Sequence, residues 1–275
     1  MRCLTAVALL SLSATPPAWS KDEPVSVTKG EKRLPLPGEA LRFGDRDAFV
    51  IAPDTPAEGK PWVWYAPTLR GLPGKHEIWY FERLLKEGIA IAGIDVGESY
   101  GSPNGRKAFE DFRIHLVKER GFSAKPCLLA RSRGGLMLYN WAVEHPQNVA
   151  AVAGVYPVCN ISSYPGVAKA AGAYEMSAEA LEKALETHNP IDRVEPLAKA
   201  KVPVRHIHGD SDRVVPLELN SAALAKNYRK WGGAMEIEVI EKGGHDLRAG
   251  WFESEALIDF MIKHAKAGAQ GAPAE

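Results

Sequence analysis

The feature that most constrains the fold is a repeated alternation between short apolar runs and stretches of helical period. The runs cover residues 48–52, 62–66, 89–94, 127–130, 150–156, 204–207 and 237–240. A strand covered by helices on both faces reads as a continuous apolar run rather than an alternating one. Between the runs, apolar residues recur at helical spacing: Ile78, Phe81, Leu84 and Leu85; Phe109, Phe112 and Leu116; Leu136, Tyr139 and Val143; Leu217, Leu224 and Tyr228. A final helix carries Trp251, Leu257, Phe260 and Met261. Strands alternating with helices imply an α/β fold with a doubly wound, mostly parallel sheet. At 275 residues, a single large domain spanning about 46–266 is expected.

The flanks read differently. Arg2, an apolar stretch over 4–12, and Ala18-Trp19-Ser20 ahead of Lys21-Asp22-Glu23 follow the order of a secretory signal. Residues 1–20 are therefore expected to direct export, to the periplasm or outside the cell. Residues 21–45, rich in Pro and Gly, are expected to form an extended lead-in, and residues 267–275 a disordered tail. The interval between the apolar runs at 150–156 and 204–207 is longer than a simple crossover needs. Residues 160–198, with helical patterns near 177–187 and 190–198, are expected to form a small helical cap over the carboxyl edge of the sheet, where ligands bind in such folds. Cys127 opens one strand and Cys159 follows the end of the next, too far apart for a disulfide, so two free thiols are expected.

Equal numbers of basic and acidic residues, 34 each, argue against a nucleic-acid partner. No apolar run has the length of a membrane span.

Three residues carry the chemistry. In Ala130-Arg131-Ser132-Arg133-Gly134, a buried strand runs into a serine with small residues two positions to either side, and a helix pattern follows. This is the nucleophile-elbow arrangement, in which a sharp turn lifts the hydroxyl clear of the sheet. The same turn aims the Arg133 amide at the space where an oxyanion would form. The alternative reading is a serine capping a helix. Asp212 lies in an acidic turn just past the strand at 204–207, with Asp210 as the competitor assigned to the turn itself. His245 follows the last strand on a loop with Gly243 and Gly244, expected to be flexible. Ser132, Asp212 and His245 thus each follow a strand's carboxyl end. Serine needs a base to become nucleophilic, histidine suits that task, and a carboxylate orients the ring. His206 and His208 lie within a strand without acid or Cys partners at ligand spacing, so they read as structural and no metal is expected.

From about Arg46 to His264 the chain resembles the α/β-hydrolases, in particular the dienelactone-hydrolase and prolyl-oligopeptidase-like serine esterase branch. The resemblance rests on Ala130-Arg131-Ser132-Arg133-Gly134-Gly135, His208-Gly209-Asp210-Ser211-Asp212-Arg213-Val214-Val215-Pro216 and Gly243-Gly244-His245. It implies a first oxyanion donor in Pro67-Thr68-Leu69-Arg70-Gly71, assigned to the Leu69 amide with Thr68 next, alongside Arg133. Arg70, Thr68, Glu98, Tyr100 and Trp79 are candidate substrate contacts. Arg70, Arg131 and Arg133 read either as binding an anionic substrate or as paired with Asp95, Glu98 or Asp111; Trp79, Tyr80, Tyr156 and Tyr164 read either as a stacking surface for sugar or aromatic rings or as core.

The expected activity is hydrolysis of carboxylic esters through an acyl-enzyme, without a cofactor. The substrate would be a small-molecule or polysaccharide-linked ester, of a carbohydrate or an aromatic acid. A serine peptidase of the prolyl-oligopeptidase type is the first alternative, against which stands the lack of a propeller-sized segment ahead of the domain. A non-catalytic binding protein on the same fold is the second, and it would be expected to lack one of the three residues. A dehalogenase would carry Asp at the elbow.

Overall fold

The computed structural model describes residues 25–270, so the signal expected at 1–20 lies outside the described residues. Among the described residues, nine strands form one sheet: β1 (Val27–Lys29), β2 (Glu39–Phe43), β3 (Arg46–Ile51), β4 (Trp62–Tyr65), β5 (Ala90–Ile94), β6 (Cys127–Arg131), β7 (Ala151–Val155), β8 (Val204–Gly209) and β9 (Met235–Ile240). Their order is β1-β2-β3-β5-β4-β6-β7-β8-β9. β1, β2 and β3 pair antiparallel, as do β3 and β5, and every later pairing is parallel. The main helices are α1 (Ile78–Lys86), α2 (Pro103–Arg120) and α3 (Gly134–Ala142), then short helices α4 (Val167–Ala170), α5 (Ala178–Lys183), α6 (Leu185–His188), α7 (Pro190–Arg193) and α8 (Glu195–Lys199), and finally α9 (Ser221–Lys230) and α10 (Glu255–Gln270).

The pleat sorts each apolar run onto two cores. Trp62 and Trp64 of β4, Leu128 and Ala130 of β6 and Val152 of β7 face the core beneath α2, α3, α8 and α9. Val63, Tyr65, Cys127, Leu129, Ala151, Ala153 and Val155 face the opposite core, against α1 and α10. Successive side chains point to opposite faces, so a strand buried on both sides must be apolar throughout. Cys127 and Cys159 belong to opposite cores and are both unpaired and buried.

Residues 160–198 form α4–α8 and their connections. Ile161, Ala170, Ala171, Tyr174 and Leu181 pack with Tyr100, Leu136 and Val215, which follow β5, β6 and β8, so this insertion sits at the carboxyl edge of the sheet. Among the described residues, no helix is long and apolar enough to cross a membrane.

Two expectations need correction. The lead-in is part of the sheet: Leu41 and Phe43 of β2 are buried, and the strand turns through Gly44-Asp45 into β3 with Phe43 opposite Arg46. Its inward residues Leu41 and Phe43 alternate with the half-buried Ala40 and Arg42, as on a half-exposed edge, so no continuous run marks it. Of the tail expected at 267–275, residues 267–270 continue α10, and 271–275 lie outside the described residues. Ala265 and Ala269 are buried, and Gly268 lets α10 approach the starts of β6 and β7, since a Cβ there would lie 2.6 Å from the Ala150 Cβ and 2.8 Å from the Lys125 carbonyl oxygen.

Candidate active site

β6 delivers Ser132 at the elbow with φ +47°, a left-handed backbone that a non-glycine residue adopts only when its surroundings enforce it. Here the Ser132 amide donates to the Val155 carbonyl (3.0 Å), and the Ser132 carbonyl accepts from Val158 (2.8 Å) and Gly135 (2.9 Å). Gly135 is required by this packing, because a Cβ would stand 2.3 Å from the Val158 carbonyl oxygen. At Ala130, the position where the motif usually has glycine, the methyl is accommodated within the core.

The Ser132 hydroxyl lies 3.0 Å from His245 Nε2, and His245 Nδ1 lies 2.7 Å from Asp212 Oδ2. A carboxylate only accepts, so Nδ1 carries the hydrogen and Nε2 presents its lone pair to Ser132. The structure therefore brings together the three residues singled out in the sequence. Asp210, in contrast, accepts from the Ser211 hydroxyl and the Lys242 amide and serves the turn.

Asp212 is buried. Burial alone would push its carboxyl up, but the His208 and His245 rings and the Val215 amide hold it well below the usual carboxylate range. Oδ1 accepts from the amides of Val214 (2.9 Å) and Val215 (2.8 Å), and His208 Nε2 stands 3.6 Å from Oδ2.

His208 ends a buried chain whose hydrogen positions follow from its partners. His208 Nε2 donates to the Val215 carbonyl (2.8 Å), leaving Nδ1 to accept from the Ser221 hydroxyl (2.8 Å). The Ser221 oxygen then accepts from His206 Nδ1 (2.8 Å), and His206 Nε2 from the Tyr139 hydroxyl (2.7 Å). Burial pushes His206 down to about 3 and Tyr139 well up, which keeps the imidazole neutral and the phenol protonated. Both histidines are structural, and among the described residues no grouping of three or more His, Cys, Asp or Glu could hold a metal ion.

The His245 loop is held by packing. A Cβ at Gly243 would lie 2.6 Å from the Trp251 ring, and one at Gly209 would lie 2.1 Å from the Gly243 carbonyl oxygen. Gly209 and Gly243 permit this close approach, whereas a Cβ at Gly244 would meet only the Asp246 carboxylate, at 3.7 Å. Asp246 accepts from Trp251 Nε1 (2.8 Å) and from Arg248. The Tyr156 ring, buried with φ +34°, lies 4.3 Å from the His245 ring, and its hydroxyl donates to the Asp246 carbonyl (3.1 Å). Tyr156 is thus a wall for the imidazole. In the sequence its role is open between stacking surface and core, and the signal it offers is its place at the end of β7.

Thr68 abuts the elbow, its Cγ2 3.7 Å from where a Gly134 Cβ would stand. Among the described residues, no acceptor engages the amides of Leu69 or Arg133. Arg133 pairs with Glu98. Tyr100, also at the carboxyl edge, is buried, and its hydroxyl is pushed up to about 12 by burial first and then by Glu98. Arg131 points back under the turn to Glu77, which also accepts from the Tyr65 hydroxyl (3.0 Å) and the Gly74 amide (2.8 Å). Two further candidate contacts have other neighbours. Trp79 packs against Tyr80 on α1 beneath the Arg83 guanidinium, 3.4 Å from the ring centroid. Arg70 lines a separate cleft with Lys32 and Arg42.

The prolyl oligopeptidase family profile matches residues 109–268, which contain all three residues. The chain belongs to the prolyl oligopeptidase family. Its fold is that of the α/β-hydrolases, as similar solved structures also show. A puromycin-hydrolyzing peptidase of Mycobacterium tuberculosis superimposes with a TM-score of 0.64 at 18% identity over 86% of this chain and 40% of that one. Est1E from Butyrivibrio proteoclasticus gives 0.63 at 18% identity over 83% and 99%. A truncated carbohydrate esterase from gut microbiota gives 0.59 at 16% identity over 82% and 91%. The chain thus spans less than half of the peptidase but nearly all of the two esterases. No curated protein matches the sequence significantly.

Proposed function

We propose that the protein is an exported serine hydrolase of carboxylic esters that works through an acyl-enzyme on Ser132. The observation that carries this reading is the continuous Ser132–His245–Asp212 hydrogen-bonded relay, at 3.0 and 2.7 Å, on the carboxyl edge of the sheet. His245 Nε2 takes the Ser132 proton as the oxygen attacks the ester carbonyl. The Arg133 and Leu69 amides, with Thr68 beside them, hold the developing oxyanion. His245 then gives the proton to the departing alcohol. Water, deprotonated by the same nitrogen, releases the acid and restores the serine. Asp212 keeps Nδ1 protonated and stabilises the imidazolium throughout.

Support for esters over peptides comes from the neighbours. The likeness covers nearly the whole of Est1E and of the carbohydrate esterase, whereas most of the puromycin-hydrolyzing peptidase lies outside it. The peptidase reading keeps the same machinery and is favoured by the family match. Purified protein assayed on p-nitrophenyl, acetylated-sugar and hydroxycinnamoyl esters beside peptide amides separates the two. Ester turnover is expected, reduced by several orders of magnitude in Ser132→Ala with the fold retained. Undiminished ester hydrolysis in that variant would remove Ser132 from the mechanism, and cleavage of peptides alone would favour the second reading. Export is supported by the order of residues 1–23, and the N-terminal sequence of the secreted protein tests it.

A further inference from the structure

The carboxyl edge carries a second concavity, beyond the serine. A cleft of about 700 Å³ lies between the connection from β1 to β2, the start of β3 and the loop after β4. Its volume falls within the ~300–1,000 Å³ typical of small-molecule sites. Lys29, Lys32, Arg33, Arg42 and Arg70 line it, against only two acids, Glu31 and Asp47. Arg42 is neutralised by Asp47 at 2.9 Å. Lys29, Arg33 and the Arg70 guanidinium have no carboxylate partner among the described residues. Lys32 is the telling member: its side chain is only 2% exposed, its ammonium donates to the Arg70 carbonyl (3.2 Å), and the nearest carboxylate, Asp95, stands 4.0 Å away. Burial pushes this ammonium down, Asp95 and Asp47 oppose that, and the Arg70 charge adds to it. Asp95 and Asp47 offset part of this charge, but the lining cations still outnumber the carboxylates near them, an excess that a bound anion would offset.

The cleft is contiguous with the proposed site through the backbone. Arg70 and Gly71 follow Thr68 and Leu69, the loop that abuts the elbow. Asp95, facing Lys32, opens the segment whose Glu98 pairs with Arg133 next to the serine. By contrast, Arg131 and Arg133 are satisfied by Glu77 and Glu98. The anion-binding capacity therefore lies with Arg70, and its companions come from the N-terminal strands.

We propose that this cleft binds an oxyanion group, a carboxylate or a sulfate, on the sugar-like portion of the ester substrate. That the anion belongs to the substrate rests on the hydrolase reading; its binding does not. The lining contains no aromatic side chain, which suits a polar acidic sugar and not a hydroxycinnamoyl ring. Arginine forks and a lysine point charge match such oxyanions by charge-assisted hydrogen bonds.

The test is calorimetric binding to the full chain carrying Ser132→Ala, so that nothing is cleaved. The probes are tri-galacturonate, its neutral methyl ester and a sulfated trisaccharide. One or both anionic probes are expected to bind at least about tenfold more tightly than the neutral one, with the preference collapsing at high salt. The tighter of the two identifies the anion as carboxylate or sulfate. Arg70→Ala and Arg33→Ala, both exposed positions, are each expected to remove most of that preference. Equal affinity for charged and neutral probes, no binding of either anion, or a preference that survives both substitutions would overturn the proposal. Hydrolysis of p-nitrophenyl acetate by the wild-type chain reports separately on the hydrolase reading, and failure there leaves the binding result standing.

Discussion

Both oxygens of the Asp212 carboxylate are occupied, one by two backbone amides and the other by the His245 ring. Its folded-state pKa is depressed, so its contribution to stability is complete above the unfolded value near 3.8 and is lost as pH falls through the folded value. Asp212→Asn is expected to lower the melting temperature at neutral pH, and the gap from wild type is expected to shrink below about pH 4. A gap that stays constant from pH 7 to pH 3 in thermal melts would show that the carboxylate charge contributes nothing. The same variant would present an N–H or a neutral oxygen to Nδ1 and disturb the tautomer, so kcat is expected to fall far more than affinity. At the elbow, Gly135→Ala forces a methyl against the Val158 carbonyl, whereas Gly134→Ala meets the Ala66 oxygen only at 3.3 Å. Turnover is expected to collapse in the first and survive in part in the second; equal losses in rate assays would refute the packing argument. Ser132, Asp212 and His245 were legible because each sits in a local strand–turn context. Tyr156, Glu77 and His208 were not, because their roles depend on neighbours distant in the chain.

At the scale of elements, β4 sets a contrast that its sequence conceals. Trp62 and Trp64 are alternate residues, both fully buried in one core, with rings 5.2 Å apart. Trp62 Nε1 donates to the Ser123 carbonyl at 2.8 Å, whereas Trp64 Nε1 has no hydrogen-bond partner among the described residues. Replacing either with Phe loses similar volume, but only Trp62→Phe also strands the Ser123 acceptor. Trp62→Phe is therefore expected to cost about 1 kcal/mol more than Trp64→Phe in denaturant unfolding. Equal costs, or the reverse order, would show that packing decides alone. The continuous runs made β3 through β9 readable, and the Ser102-Pro103 start and Gly121 stop frame α2, with Gly121 at φ +67°. β2 escaped notice because an edge strand keeps one face in water, although Gly44-Asp45 between Phe43 and Arg46 is a hairpin signal. That omission mattered for function, since the β1–β2 connection supplies Lys32 and Arg33 to the basic cleft.

The whole molecule divides its tasks between the two ends of one sheet. At the carboxyl end stand Ser132, Asp212, His245, the 160–198 insertion and the basic cleft. Close packing dominates the amino end, where α10 comes down on the starts of β6 and β7. Gly268 lies against Ala150 and Lys125 there, its carbonyl accepts from the Ser123 hydroxyl at 3.3 Å, and Ala269 packs beside Gly59. Runs of Ala and Gly look like a tail in a sequence because they carry no hydrophobic period, yet small residues are what allow a helix to approach a sheet this closely. Gly268→Val places branched carbon where only 2.6–2.8 Å separates the missing Cβ from its neighbours, so the end of α10 must lift. Overpacking of this kind costs about 1–3 kcal/mol. A lower melting temperature is therefore expected, together with an unchanged KM for any ester that the wild type hydrolyses, because the strained contacts lie a full strand length from the serine. If KM rose with the loss of stability, the two ends would be mechanically coupled, and the separation of packing from chemistry would fail.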